Sequence, residues 1–97
     1  AEAFVSALNY SGSENIFNIS SGEGTSLNSL IQLIENILGK SIECNHFPGR
    51  SFDVPISILS NDLARKELQW TPKLNIQEGI VRTVEWMKEN IASLQNK

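Results

Sequence analysis

The chain has 97 residues, 40% of them hydrophobic and 20% charged, with no block of like charge; this composition excludes wholesale disorder and suits one small domain over residues 1–97. A net charge of −3 and a pI near 5.0 argue against nucleic acid as a partner. The single cysteine, Cys44, excludes a disulfide framework and a multi-cysteine metal site, and no apolar run approaches the roughly 18 residues of a membrane span.

In chain order, Ala3, Phe4, Ala7 and Leu8 stand at helical spacing from the first residues onward. No capping residue precedes them, so the chain reads as one that opens inside a helix. Turn residues Asn9–Glu14 lead to Ile16-Phe17-Asn18-Ile19, a short apolar run expected to be a strand covered on both faces. Ser26 is the expected N-cap of a helix whose stripe is Leu27, Leu30, Ile31, Ile34, Ile37 and Leu38, closed by Gly39. Ile42, Cys44 and His46 alternate with polar neighbours as in a half-buried strand, completing a βαβ unit. Ile56–Leu59 gives a further short strand. Ser60 or Asn61 caps a helix through Leu63, Ala64 and Leu68. Asn75 and Glu78 form a capping box for the last helix, with Ile76, Ile80, Val84, Met87 and Ile91 as its buried stripe. The fold class is α/β, with helices in the majority.

Gly22-Glu23-Gly24, between a strand and a helix, imitates part of a dinucleotide-binding turn, but Leu27 stands where the third glycine belongs. It reads as a simple connection. Cys44 is expected in the core, as free cysteines usually are, and His46 has no second histidine with which to hold zinc. Trp70 is expected to pack the end of its helix onto the body, while Trp86 lies off the stripe and is given no role. Arg50-Ser51-Phe52-Asp53 lies in a loop after a strand, where binding groups tend to sit. Arg offers a planar fork for phosphate and Asp offers acceptors for sugar hydroxyls. An Arg–Asp surface pair worth about 0–1 kcal/mol fits these residues equally well.

The succession AEAFVSAL, IFNISSGEGTSLNSLIQLIENILGK, PGRSFDVP, LARKELQWTPK and IQEGIVRTVEWMK resembles the C-terminal end of the nucleotide-sugar epimerases and dehydratases. These are extended short-chain dehydrogenase/reductases, and the UDP-glucose 4-epimerase type is the nearest. The likeness runs the length of the chain. It implies that Arg50 grips the nucleotide diphosphate, that Asp53 bonds the ribose, and that Leu27 lies near the base. Two positions depart from the family pattern: Ser20 and Gln69 stand where glycine is usual.

The same resemblance implies a small substrate-binding fragment of an extended Rossmann-type protein, without catalytic or metal-binding residues of its own. The family's Gly-rich NAD site and Tyr-x-x-x-Lys pair have no counterpart here, since Glu14 stands four residues after Tyr10. The full enzyme implied is cytoplasmic, homodimeric and NAD-dependent, oxidising a UDP-sugar at C4 and returning the hydride to the other face. The fragment alone is expected to be inactive. A dehydratase of the same family and a freestanding, non-catalytic binding module are the alternatives.

Overall fold

A computed structural model of the chain describes residues 1–95 and contains four helices in the order α1 (Glu2–Leu8), α2 (Leu27–Leu38), α3 (Asp62–Glu67) and α4 (Ile76–Gln95). The chain divides into two compact units, Ala1–Thr25 with Asn45–Lys73, and Ser26–Cys44 with Leu74–Lys97.

The first unit holds α1 and α3. Helix α1 has no side-chain cap at Ala1, and Asn9 closes it by donating its side-chain amide to the Val5 carbonyl at 3.2 Å. Lys73 reaches the Glu2 carboxylate at 2.8 Å, tying the segment after α3 to the first turn of α1. Tyr10 donates its hydroxyl to Glu67 at 3.2 Å and meets Phe17 edge-on, with ring centroids 5.2 Å apart. Among the described residues the buried apolar side chains are Ala3, Ala64 and Leu68. All three belong to this unit.

Asn61, the one polar residue buried among those described, settles the choice of cap for α3. Its side-chain amide donates to the Ser20 carbonyl at 2.9 Å, and its oxygen accepts from Arg65 at 3.5 Å. Having spent its side chain there, Asn61 makes no capping bond, and the neighbouring Ser60 hydroxyl takes the Asp62 N–H at 3.2 Å instead. Helix α3 ends at Glu67 with Leu68 as its C-cap, after which Gln69 turns left-handed with φ 53°. The half-buried Trp70 then returns its N–H to the Ala64 carbonyl at 3.2 Å.

The second unit pairs α2 with α4. Ser26 accepts the Ser29 N–H at 3.1 Å, and Gly39 closes α2 in the left-handed conformation with φ 67°, its N–H on the Glu35 carbonyl at 2.8 Å. Both caps stand where the sequence places them. The capping box also forms: Asn75 accepts from the Glu78 N–H at 2.8 Å, and Glu78 accepts from the Asn75 N–H at 3.1 Å. Ile80 and Val84 are half-buried, as is Val81, which the expected stripe omits, whereas Ile76, Met87 and Ile91 stay about half exposed.

The expected strands do not form. Among the described residues there is no strand, so the βαβ unit is absent from this structure. A strand exists only through a ladder of main-chain bonds to a neighbour, and here side chains intervene. The Ser20 hydroxyl donates to the Leu59 carbonyl at 2.7 Å, and the Ile42 N–H goes to the Glu35 carboxylate at 2.7 Å. Ile16, Ile19, Ile56, Ile58 and Leu59 are exposed, so the reading of Ile16–Ile19 as a strand covered on both faces is corrected as well.

Candidate functional site

Residues 45–60 of the first unit run over the surface and are exposed throughout. Within them Arg50–Asp53 closes as a turn, the Asp53 N–H donating to the Arg50 carbonyl at 3.1 Å. That turn sets the two side chains at its ends face to face. The Arg50 Nη2 lies 2.9 Å from Asp53 Oδ1 and Nε lies 3.0 Å from Oδ2, a two-pronged fork. Between them in sequence, Phe52 brings its ring under the guanidinium, whose carbon sits 4.9 Å from the ring centroid.

The side chains of Arg50 and Asp53 are 67% and 47% exposed. An ion pair in that much water is worth at most about 1 kcal/mol, so a ligand can rearrange it at little cost. A guanidinium carries five N–H donors, and two are engaged by Asp53, which leaves three for another acceptor. The arrangement can therefore present a fixed cation to an anionic group without first breaking the fork. Asp53 in turn offers carboxylate acceptors to hydroxyls.

Leu27, the third residue of interest, opens α2 in the second unit and is 77% exposed. The structure thus joins Arg50 to Asp53 within the first unit. Phe52 is the member that sequence reasoning missed. Its signal, an aromatic inside an Arg-x-x-Asp turn, is visible only once the turn is known to close.

Both glycines between Ile19 and α2 have side chains close by. Gly22 is left-handed with φ 76°, and the Asn61 amide lies 3.5 Å from where a Cβ would stand. At Gly24 a Cβ would meet the end of the Ile58 side chain at 2.5 Å, so the turn lies against that isoleucine. Cys44 is exposed, correcting its expected place in the core: with no neighbouring strand there is no sheet face to bury it. Among the described residues no cluster of His, Cys, Asp and Glu is placed to hold a metal ion, and no helix is long and apolar enough to cross a membrane.

The chain is 33% identical over 82 residues to a UDP-glucuronate 4-epimerase of Thermodesulfobacterium geofontis, an alignment covering 84% of this chain and 25% of that protein. It is 36% identical over 87 residues to a UDP-glucose 4-epimerase of Mycolicibacterium smegmatis, covering 90% of this chain and 28% of that one. A dTDP-4-dehydro-6-deoxyglucose reductase of Escherichia coli is 35% identical over 89 residues, covering 86% and 26%. The chain belongs to the short-chain dehydrogenase/reductase family of nucleotide-sugar epimerases and reductases. It spans about a quarter of the length of these curated relatives. No family model and no solved structure matches it. Gln69, where the resemblance implies glycine, is left-handed in this structure, the conformation that glycine adopts without steric cost. At the other departure, Ser20 uses the hydroxyl that glycine lacks to hold Leu59 and to accept the Gly22 N–H at 3.2 Å.

Proposed function

We propose that this chain is the nucleotide-sugar-binding portion of an NAD-dependent nucleotide-sugar epimerase of the UDP-glucose 4-epimerase type, residues 1–97 acting as one substrate-binding unit. The observation that carries the reading is the exposed Arg50–Asp53 turn, which holds a guanidinium and a carboxylate side by side on the surface. Arg50 takes the diphosphate through its three remaining N–H donors, and Asp53 accepts from the ribose hydroxyls. Leu27 supplies an apolar contact near the base. The relatives support a sugar nucleotide as substrate, since two are named for UDP-sugars and one for a dTDP-sugar.

In this reading NAD belongs to residues of the enzyme other than these, and no step of hydride transfer is assigned to this chain. The complete enzyme is a cytoplasmic homodimer in this reading. The test is an assay of the enzyme carrying this sequence with NAD and a panel of UDP-, dTDP- and GDP-sugars. Interconversion of UDP-sugars epimeric at C4 is expected. Loss of water from a dTDP- or GDP-sugar would move the assignment to a dehydratase. Failure to bind or convert any sugar nucleotide would overturn it in favour of a non-catalytic module.

A further inference from the structure

We propose that Phe52 is a positioning residue for Arg50, its ring holding the guanidinium at the height and tilt from which it meets a diphosphate. The inference rests on the reading of Arg50 as the diphosphate ligand and adds to it the device that keeps this long side chain in place. Arg50 is two-thirds exposed and carries a flexible stem, so its position needs a cause. Two neighbours supply one. Asp53 holds the edge that carries Nε and Nη2, and the Phe52 ring lies 4.9 Å from the guanidinium carbon, within the reach of a cation–π contact.

The two supports differ in what they cost the site. The carboxylate offsets the positive charge that an incoming diphosphate needs, and on binding it is drawn toward the ribose. The ring is uncharged and blocks no N–H group, so it is the support that persists with ligand bound. Phe52 is itself 74% exposed, which means that packing elsewhere does not account for its place beside Arg50. Its replacement leaves the buried residues Ala3, Ala64 and Leu68 untouched.

The test uses the 15N-labelled enzyme that carries this sequence, following the Arg50 Nε–H resonance and its titration with UDP-glucose in the wild type, Phe52→Leu, Phe52→Trp, Arg50→Ala and the Arg50→Ala/Phe52→Leu double variant. Phe52→Leu is expected to shift the Arg50 resonance by removing the ring current and to weaken UDP-glucose roughly two- to five-fold. Phe52→Trp restores affinity, and the double variant binds no more weakly than Arg50→Ala alone. An Arg50 resonance indifferent to Phe52→Leu overturns the positioning role. So does an unchanged affinity in Phe52→Leu when Arg50→Ala is impaired, and in both cases the diphosphate reading stands. If Arg50→Ala binds UDP-glucose as the wild type does, the diphosphate reading fails and the positioning role falls with it.

Discussion

Lys73 and Glu2 show how a single exposed contact shapes titration without contributing much to stability. The ammonium 2.8 Å from Glu2 donates a hydrogen bond to its carboxylate and attracts its charge, and together these hold the Glu2 carboxyl below the ordinary glutamate value. A carboxyl whose folded value is depressed favours the folded state at pH above its unfolded value, and that contribution is lost as pH falls through the lowered one. The tie between α1 and the segment after α3 is therefore expected to persist through the usual glutamate range and to release only in more acid solution. Carboxyl-carbon NMR across an acid titration measures this. In Lys73→Ala the Glu2 midpoint should return upward, and an unmoved midpoint would show that the contact is not populated in solution. At the candidate site, the Arg50 and Asp53 pairing was legible in the sequence because three-residue spacing in a loop permits it. The Phe52 stack was not, since it depends on how the turn brings the ring beneath the guanidinium.

Helix ends were the most legible elements, and the reason is locality. Ser26, Gly39, Asn75 and Glu78 each satisfy backbone groups within four residues of themselves, so sequence spacing alone specifies the bond. The strands were misread because a ladder is a relation between distant segments, and a run such as Ile16–Ile19 carries no information about its neighbour. Gln69 illustrates a third case, in which a departure from the family pattern becomes intelligible through one dihedral. A side chain in the left-handed region costs about 1–2 kcal/mol, while glycine there carries an added entropy loss on folding of roughly 0.5–1 kcal/mol. Gln69→Gly is therefore expected to stabilise the chain by about 0.5–1 kcal/mol, and Gln69→Ala to give no such gain. Urea unfolding of the three proteins checks both. A destabilised glycine variant would mean that Gln69 makes a compensating contact.

At the scale of the molecule, the balance between covered and uncovered apolar surface is lopsided. The buried apolar side chains among the described residues are Ala3, Ala64 and Leu68, while Phe4, Leu8, Ile16, Phe47 and Ile56 face solvent. Covering one large apolar side chain contributes about 1.5–3 kcal/mol, so a few such contacts suffice to drive association. Exposed segments outside the helices add main-chain groups that no ladder pairs. The chain is expected to self-associate by mass action, its weight-average sedimentation coefficient rising with concentration in velocity runs. A coefficient flat up to high concentration would show that these residues find cover within one copy.

The most direct measurement is the dissociation constant of UDP-glucose for the 97-residue chain with and without Arg50. Arg50 and Asp53 together offer roughly 3–6 kcal/mol gross, against an association cost of about 4–15 kcal/mol. At most about 2 kcal/mol is left over, so a wild-type dissociation constant of roughly 30 mM or weaker is predicted for the isolated chain. Losing a charge-assisted contact of about 1.5–3 kcal/mol should weaken it further by roughly 10- to 150-fold in Arg50→Ala. Ligand-observed NMR with UDP-glucose, UDP and NAD reads all three affinities in one series, and NAD should give no binding response. Equal affinity for UDP-glucose in the wild type and Arg50→Ala would contradict the placement of the diphosphate on Arg50.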